Sequence, residues 1–446
     1  MKTILILGAG RSSSSLISYF LEHAAANEWN VIVGDLSVEA ARERIGSDGG
    51  QAVHFDIKDE VSSAQRVGES DIVVSLLPAD FHPLVAKLCL SLKKHFLSAS
   101  YVSEDMNKFH KEALEKGLLL LNECGLDPGI DHMSAMQVIN RLKGMGGVLT
   151  SFESFTGGLI TPDTDPENPW RYKFTWNPRN VVMAGQGTAK FLMDGQFKYV
   201  PYQQLFKRTT PVEVSGTLYE GYPNRDSLKY LNSYGLQGIK TMIRGTLRSA
   251  GFCSAWNILV LLGCCDDSYV MENVAGMTHR DFINSFLPGG QAGSVDEKIC
   301  SVFGLSPGQA DIQRLRWSGL FSDAKIGLAA GSPAKILEHI LNRRWGLMPG
   351  DRDLIVMWHR FGYTLNGSVK SLVSHLTVPG QDETQTAMAK TVGLPLGIAA
   401  KLLLQGKIRK RGVAIPIDEE IYAPVLSELN ALGIVFKESE SEAHNV

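Results

Sequence analysis

The amino-terminal segment begins with a short strand that runs directly into a glycine-rich turn. Residues 3–7 read as a buried strand, Gly8-Ala9-Gly10 follows, and apolar residues then recur at helical spacing. A Gly-x-Gly motif alone is weakly specific. Between a strand and a helix, however, the first glycine permits the tight turn and the second lets the backbone approach a pyrophosphate. The motif therefore predicts a dinucleotide-binding domain, and the alternative is a degenerate domain that binds nothing.

Strands and helices continue to alternate after this turn, as a parallel doubly wound sheet requires. Four further strands are predicted, at residues 30–34, 52–55, 71–76 and 96–98. Because ligands bind at the carboxyl ends of parallel strands, the cofactor contacts are expected in the turns that follow these strands. The predicted cofactor-binding residues are Gly8, Gly10, Arg11, Ser12, Ser13, Asp35, Asp56, Leu76, Leu77 and Pro78.

The acidic residue at the end of the second strand decides the predicted cofactor. Asp35 can accept hydrogen bonds from both ribose hydroxyls of the adenosine half and would repel a 2′-phosphate. We therefore expect NAD, with NADP less favoured. Asp56 is expected beside the adenine, the turn at residues 76–78 beside the nicotinamide ribose, and the serine hydroxyls of residues 12–15 on the phosphates.

Length, charge and cysteine usage limit the class of protein. A chain of 446 residues predicts two or three domains. With 44 basic and 47 acidic residues the net charge is −3, so no global field favours nucleic acid or a membrane surface, and the expected partner is a small molecule. Six scattered cysteines without a CxxC pair suit a reducing compartment and argue against a disulfide framework or a metal site. No secretory signal pattern is evident, so a cytoplasmic protein is predicted.

Residues 122–132 are predicted to form a turn between a buried strand and a helix. The strand covers residues 117–121, and apolar residues recur about every third position from residue 130 to residue 142. Asp127-Pro128 reads as the helix start, because Asp can cap free amides and Pro at the first helical position loses no hydrogen bond. The alternative is an ordinary turn before a core helix.

The predicted fifth strand leads into Ser100 and Tyr101, which would lie at the same sheet edge as this turn. Their hydroxyl groups could position a substrate or relay a proton. In the alternative interpretation, Tyr101 only packs its ring under the next helix.

The middle of the chain has a different pattern, typical of an antiparallel or mixed sheet. Residues 152–155 and 211–219 read as strands, and Trp176 lies in a loop-rich stretch whose aromatic residues could wall a pocket. Arg225 follows one strand, and Arg244 lies within another that is otherwise apolar. A buried arginine requires a carboxylate, so two of them favour a ligand with more than one carboxylate, unless internal acidic residues pair with them.

The chain ends in a helix and a predicted strand at residues 434–436. An ending of this kind commonly adds to an existing sheet, so we expect it to complete the first domain and make that domain discontinuous.

Several long motifs in the same order resemble the saccharopine dehydrogenase family of the glutamate-forming type, over nearly the whole chain. The motifs are Gly8-Ala9-Gly10, residues 75–78, Ala99-Ser100-Tyr101, and residues 122–132, 223–226, 244–248, 387–393 and 420–426. Two departures stand out. Thr156 stands where the family often has Cys, and Asp35 stands where fungal members have Arg.

The resemblance implies an α/β protein of three parts: a discontinuous Rossmann-type doubly wound domain, a mixed-sheet α+β substrate and dimerisation domain, and a small helical domain. Residues 1–126 and 386–446 would form the first, and residues 127–385 the second, with the helical insertion at about 250–350. A homodimer is expected. The implied substrate-binding residues are Ser100, Asp127, Trp176, Arg225 and Arg244.

The implied activity is NAD-dependent oxidation of the secondary amine of saccharopine to an imine, which is hydrolysed to 2-aminoadipate 6-semialdehyde and L-glutamate in lysine metabolism. Asp127 and Tyr101 are the candidate catalytic residues for proton transfer. The alternatives are a carboxynorspermidine-type or homospermidine-type dehydrogenase, a lysine 6-dehydrogenase, or a non-catalytic NAD-binding regulator. Polyamine substrates would call for acidic residues in place of Arg225 and Arg244.

Overall fold

The computed structural model describes residues 1–184, 186–289 and 293–442. The chain divides into two compact units. The first comprises Met1–Val148 and Thr384–Lys437, and the second comprises Leu149–Glu383 together with the segment that begins at Glu438. The units therefore divide at residue 148, whereas the sequence placed a boundary at residue 126. The helix that follows residues 122–129 belongs to the first unit.

The amino-terminal part of the first unit alternates strands and helices. Its strands are β1 (Lys2–Leu7), β2 (Trp29–Asp35), β3 (Gln51–His54), β4 (Ile72–Ser75), β5 (His95–Ser98) and β6 (Leu119–Leu121). Its helices are α1 (Ser14–Asn27), α2 (Val38–Ile45), α3 (Glu60–Gly68), α4 (His82–Ser91), α5 (Glu104–Lys108), α6 (His110–Glu115) and α7 (Ile130–Gly144).

The second unit combines long strands with a run of helices. Its strands are β7 (Val148–Ile160), β8 (Ala189–Met193), β9 (Gln196–Val200), β10 (Thr210–Val214), β11 (Thr217–Pro223), β12 (Thr241–Ser249), β13 (Met271–Glu272), β14 (Ala330–Gly331), β15 (Asp353–Leu365) and β16 (Ser368–Pro379). Its helices are α8 (Pro178–Val182), α9 (Tyr202–Leu205), α10 (Phe252–Leu262), α11 (His279–Asn284), α12 (Val295–Phe303), α13 (Ala310–Trp317) and α14 (Pro333–Trp345). The closing elements of the chain are α15 (Ala387–Leu404), β17 (Gly412–Ala414), α16 (Glu419–Ala431) and β18 (Lys437–Glu442).

The sheet of the first unit is doubly wound. Its order is β17-β6-β5-β4-β1-β2-β3, and every neighbouring pair is parallel. The central strands β1 and β4 are apolar on both faces because helices cover both sides of such a sheet. All seven carboxyl ends therefore lie along one edge, where ligands bind in folds of this class. The predicted α/β class and the mixed-sheet second unit are confirmed.

The helix α15 packs against α1 through glycines. A Cβ built on Gly393 would lie 2.8 Å from the backbone nitrogen of Leu16, and one built on Gly397 would lie 2.6 Å from the Tyr19 ring. The two helices approach closely because these positions lack side chains. This helix is also the one described helix that is long and apolar enough to cross a membrane, but 78% of that stretch is buried within the protein. It therefore has the character of a core helix.

The sheet of the second unit is mixed. Its order is β10-β11-β12-β7-β15-β16-β18, and β8 branches from β12 and pairs with β9. The strand β12 runs parallel to β7 and antiparallel to β11, with Arg244 opposite Ser154 and Gly245 opposite Pro223. Arg244 and Thr246 point to the same face of β12, since side chains alternate along a strand.

The predicted strand at residues 434–436 is wrong, because those residues are irregular and the strand is β18, which neighbours β16 in the second sheet. All six residues of β18 are exposed, and the Lys370 ammonium contacts Glu440 at 2.6 Å. This strand is held by backbone pairing and an ion pair, and not by the burial of apolar side chains. A search for apolar segments therefore cannot detect it.

We predict that Gly393→Ala destabilises the first unit by roughly 1–3 kcal/mol, because the added methyl group meets the backbone of Leu16, which cannot move aside as a side chain can. Gly144→Ala is the matched control. Gly144 is also helical, its Cβ would meet nothing within 4 Å, and alanine should be neutral or slightly stabilising there. Differential scanning calorimetry of both variants measures the difference, and equal melting temperatures would contradict the close-packing argument.

Candidate active site

The glycine-rich turn has the shape that a dinucleotide requires. Gly8 has φ of +100°, its N–H donates to Gly34 O at 2.8 Å, and a Cβ there would lie 3.2 Å from the Leu76 carbonyl carbon. Gly10 differs, because a Cβ at this position would meet nothing within 4 Å. The surface beside Gly10 at the amino end of α1 is therefore open, and it leaves room for a pyrophosphate.

The hydroxyls of Ser13 and Ser14, which were predicted to bind the phosphates, donate to backbone carbonyl groups instead. Both the N–H and the hydroxyl of Ser13 donate to Gly10 O, at 3.2 and 2.7 Å, and the hydroxyl of Ser14 donates to Thr384 O. Ser13 therefore closes the turn and has no donor left for a phosphate in this arrangement. Ser12 is half-buried and Arg11 is exposed, so these two remain the candidates for phosphate contacts.

The remaining predicted cofactor residues lie at the carboxyl ends of β2, β3 and β4. Asp35 accepts hydrogen bonds from Ala9 N at 2.8 Å and from Ser37 N at 2.9 Å, so its carboxylate joins the end of β2 to the glycine turn. Asp56 accepts from Lys58 N at 2.9 Å. After β4, Leu76 and Leu77 are half-buried and Pro78 is exposed.

The turn that follows β6 is closed by its own backbone. Gly125 N donates to Pro128 O at 2.9 Å, Ile130 N donates to Gly125 O at 2.8 Å, and the bond between Asp127 and Pro128 is cis. The helix α7 starts at Ile130, so the prediction that Asp127-Pro128 begins the helix is wrong. Its buried apolar face, from Ile130 to Leu142, is confirmed.

The carboxylate of Asp127 faces the loop that follows β5. The Tyr101 hydroxyl donates to Asp127 Oδ1 at 3.3 Å, and Ser100 precedes it in the same loop. The first unit therefore brings together the three site residues that the sequence placed at this edge of its sheet. The alternative in which Tyr101 serves only to pack its ring does not account for this hydrogen bond.

Sequence reasoning missed a histidine beside Ser100. His82 begins α4, and its Nε2 lies 2.9 Å from Ser100 Oγ. Burial lowers the pKa of His82 to about 4, so the imidazole is neutral at physiological pH. No local motif marks this residue, because the contact joins a helix start to a loop 18 residues farther along the chain.

A second histidine, His132 in α7, takes part in a buried polar cluster. His132 Nε2 lies 2.9 Å from Glu123 Oε2, and its Nδ1 lies 3.7 Å from Asp131 Oδ2. The three residues are at most 2% exposed. Across residues 1–184, 186–289 and 293–442, no group of three or more His, Cys, Asp or Glu side chains could hold a metal ion.

Thr156 and Cys124 were considered as positions where a reactive thiol could lie. Thr156, which stands where the resembling family often has Cys, is a buried residue of β7. Cys124 is fully buried, its thiol donates to Pro395 O at 3.6 Å, and burial raises its pKa well above the ordinary value. A thiol in that state is a poor nucleophile.

The two arginines lie close together within the second unit. Arg244 in β12 is 7% exposed, and its guanidinium lies 4.6 Å from the centre of the Tyr230 ring. Arg225 is exposed and follows the end of β11, where Asn224 N donates to Arg244 O at 3.1 Å. Trp176 is partly buried and packs against the apolar core of this unit.

The chain matches two family models along most of its length. Residues 4–121 match the model described as the saccharopine dehydrogenase NADP binding domain, and residues 125–434 match the saccharopine dehydrogenase C-terminal domain.

Curated relatives extend this match to whole proteins. The saccharopine dehydrogenase (NADP(+), L-glutamate-forming) of Saccharomyces cerevisiae is 32% identical over 449 residues, which cover 98% of this chain and 99% of the relative. The mitochondrial alpha-aminoadipic semialdehyde synthase of Bos taurus is also 32% identical, over 459 residues that cover 98% of this chain. The chain spans 47% of that longer protein, so it corresponds to about half of it.

Solved structures give the same result. Apo saccharopine dehydrogenase (L-Glu forming) from Saccharomyces cerevisiae superposes with a TM-score of 0.88 at 32% identity, covering 99% of this chain and 100% of that one. The homospermidine synthase of Legionella pneumophila superposes with a TM-score of 0.55 at 10% identity, covering 99% of this chain and 91% of that one. The second likeness is one of fold alone.

These matches also correct the cofactor prediction. The expectation of NAD is wrong, because residues 4–121 match an NADP binding domain and three fungal relatives are named as NADP(+) enzymes. The Asp35 carboxylate also has a structural role that its sequence position does not reveal: one oxygen accepts the Ala9 N–H and the other the Ser37 N–H, and these donors offset part of its negative charge. Saccharopine dehydrogenases are oxidoreductases that act on CH–NH donors. By its two domain matches and its full-length relatives, the chain belongs to the saccharopine dehydrogenase family.

Proposed function

We propose that this chain is an NADP-dependent, glutamate-forming saccharopine dehydrogenase of lysine metabolism. Saccharopine, NADP⁺ and water would give 2-aminoadipate 6-semialdehyde, L-glutamate, NADPH and a proton. The observation that carries the proposal is the hydrogen bond between Tyr101 and Asp127, at the edge of the sheet where the glycine-rich turn also lies. A phenol and a carboxylate at that edge are suited to a substrate whose amine must lose a proton.

The first unit supplies residues that fit the cofactor. The open surface at Gly10 and the amino end of α1 suit the pyrophosphate, and the turn after β4 suits the nicotinamide ribose. The exposed Arg11 is a candidate for the 2′-phosphate, because it follows Gly10 directly. The negative charge of Asp35 is offset by its two N–H donors, from Ala9 and Ser37. When bound, NADP⁺ would supply the hydride acceptor.

Asp127 and Tyr101 would bind the substrate amine at the step in which it loses a proton. The secondary amine of saccharopine is an ammonium group near neutral pH, and it must lose a proton before hydride can leave the neighbouring carbon. We assign the binding of this group to Asp127, with Tyr101 fixing the orientation of the carboxylate through its 3.3 Å hydrogen bond. Ser100 would bind a polar group of the substrate beside them.

The arginines favour saccharopine over the alternative amines. Saccharopine carries three carboxylates, and arginine binds a carboxylate through two parallel hydrogen bonds. Arg225, which follows the end of β11, and Arg244, in the paired strand β12, suit such a substrate, and Trp176 is a candidate for the pocket wall. Polyamine substrates carry few or no carboxylates and so offer fewer groups that an arginine can bind in this way. The homodimer and the cytoplasmic location stay predictions.

We expect the purified protein to form NADPH from saccharopine and NADP⁺, and to do so with higher kcat/KM than with NAD⁺. Lysine and carboxynorspermidine are the control substrates and should give little turnover. Absorbance at the nicotinamide band measures each rate. Activity on a control substrate alone, or preference for NAD⁺, would contradict the substrate or cofactor assignment.

We predict that Asp127→Asn lowers kcat/KM for saccharopine by roughly 10- to 100-fold, since a hydrogen bond to a charged group contributes about 1.5–3 kcal/mol. Tyr101→Phe should cost about 10-fold or less, because it removes only the orienting hydroxyl. The KM for NADP⁺ should hardly change. Steady-state rates across pH measure the effect, and an unchanged turnover and pH profile for Asp127→Asn would remove Asp127 from the mechanism.

We predict that Arg244→Ala raises the KM for saccharopine about 10- to 100-fold through the loss of a charge-assisted contact. NADP⁺ binding should stay within about twofold of the unmodified value. Arg208→Ala is the matched control, because Arg208 is exposed in the same unit. Initial-rate kinetics with each substrate varied in turn separate the two effects. Loss of NADP⁺ binding would point instead to a structural role for Arg244.

A further inference from the structure

We propose that His132 is a positioning residue, which holds Tyr101 against Asp127 by joining the buried carboxylate of Glu123 to the first turn of α7. This inference rests on the proposed function, because it concerns the residues assigned there to the substrate amine. It starts from the polar chain formed by Glu123, His132 and Asp131, which the proposed reaction does not itself use.

The first carboxylate fixes the loop after β5. Glu123 Oε1 accepts the backbone N–H of Val102 at 2.9 Å, and the backbone N–H of Glu123 donates to Ser100 O at 3.0 Å. These two contacts lie on either side of Tyr101. The loop is therefore held both before and after the residue whose hydroxyl reaches Asp127.

The second carboxylate fixes the turn that carries Asp127. Asp131 Oδ1 accepts the backbone N–H of Gly129 at 2.6 Å, two residues after Asp127. Asp131 lies in the first turn of α7, where the helix dipole favours negative charge. The contact ties the closed turn at Gly125 to the helix that follows it.

The imidazole joins these two clamps. A carboxylate accepts hydrogen bonds, so Nε2–H of His132 donates to Glu123 Oε2 at 2.9 Å. Nδ1 lies 3.7 Å from Asp131 Oδ2, which is too far for a hydrogen bond, but Asp131 is the residue next to His132 in the first turn of α7. The hydrogen bond to Glu123 therefore ties the loop that holds Tyr101 to the helix turn that holds Gly129.

The consequence is geometric. Tyr101 and Asp127 lie on different loops. Hydrogen bonds run from Val102 N to Glu123 and from Glu123 to His132, and Asp131, the neighbour of His132 in α7, accepts Gly129 N, so the two loops are connected through this helix turn. A shift of His132 would move one loop relative to the other. The 3.3 Å hydrogen bond between Tyr101 and Asp127 is already long, so a small shift would break it.

The test compares His132→Gln with the same substitution at another histidine of the first unit, His95. His95 accepts the backbone N–H of Leu119 at 3.0 Å, and both residues start their strands, at the opposite edge from the Tyr101 loop. His95→Gln therefore reports the loss of a half-buried histidine hydrogen bond at a distance from the site. Glu123→Gln is the second variant, because its amide oxygen can still accept from Val102 N if the histidine variant fails to fold.

In kinetics with saccharopine and NADP⁺, His132→Gln should lower kcat/KM about 10-fold and leave the KM for NADP⁺ within about twofold, whereas His95→Gln should match the unmodified enzyme. The decisive step combines each variant with Tyr101→Phe. Removing the phenol should cost about 10-fold in the His95→Gln background and less than about threefold in the His132→Gln or Glu123→Gln background. Equal costs in all backgrounds would overturn the proposal, because the phenol would then act independently of His132.

A second readout does not require activity. In protein labelled with ¹³C at tyrosine Cζ, the Tyr101 resonance is identified by its absence in Tyr101→Phe. It should shift in Asp127→Asn and shift likewise in His132→Gln, but not in His95→Gln. If the unmodified protein does not oxidise saccharopine while these shifts are observed, the proposed function fails and the positioning role stands. An unshifted resonance in His132→Gln overturns the positioning role whatever the activity.

Discussion

The contact of Gly125 with Gly129 determines where the helix α7 begins and where Asp127 faces. A Cβ at Gly129 would lie 2.0 Å from the Gly125 carbonyl oxygen, so the two backbone segments touch only because no side chain intervenes. That contact lets Gly125 N reach Pro128 O and Ile130 N reach Gly125 O. The loop between them is too tight to continue the helix. Asp127 is therefore presented on the loop, and its carboxylate faces the phenol of Tyr101.

The polar residues buried beneath this turn follow from the same start of α7. Because the helix begins at Ile130, its first turn carries Asp131 and His132 inward, under the loop. If the helix began at Asp127, as the sequence suggests, the Asp127 carboxylate would cap free backbone amides of the helix and would not face Tyr101. The catalytic arrangement proposed for this sheet edge thus depends on the closed loop between Gly125 and Gly129. It does not depend on the tendency of Asp-Pro to start a helix.

Local sequence patterns predicted much of the fold and of the site. Six of the seven strands of the first sheet were predicted to within a few residues, because parallel strands covered on both faces are continuous apolar runs. The seventh, β17 (Gly412–Ala414), was not predicted. The meeting of Tyr101 with Asp127 was predicted as well, since both follow strands that end at one edge. Contacts between distant segments were not predictable. The hydrogen bond from Ala9 N to the Asp35 carboxylate joins residues 26 positions apart, and no local pattern indicates it. The exposed strand Lys437–Glu442 has no run of apolar residues that would mark it as a strand.

The neutral state of His82 determines what Ser100 can offer a substrate. With a pKa lowered to about 4, the ring carries one proton at physiological pH, on either Nδ1 or Nε2. Nδ1 is buried and meets no partner within the described residues. A buried N–H without an acceptor is rarer in proteins than a buried acceptor without a donor, so the proton belongs on Nε2. Nε2–H then donates to Ser100 Oγ, and the Ser100 hydroxyl keeps its own proton to donate. In the proposed function, that hydroxyl donates a hydrogen bond to a polar group of the substrate.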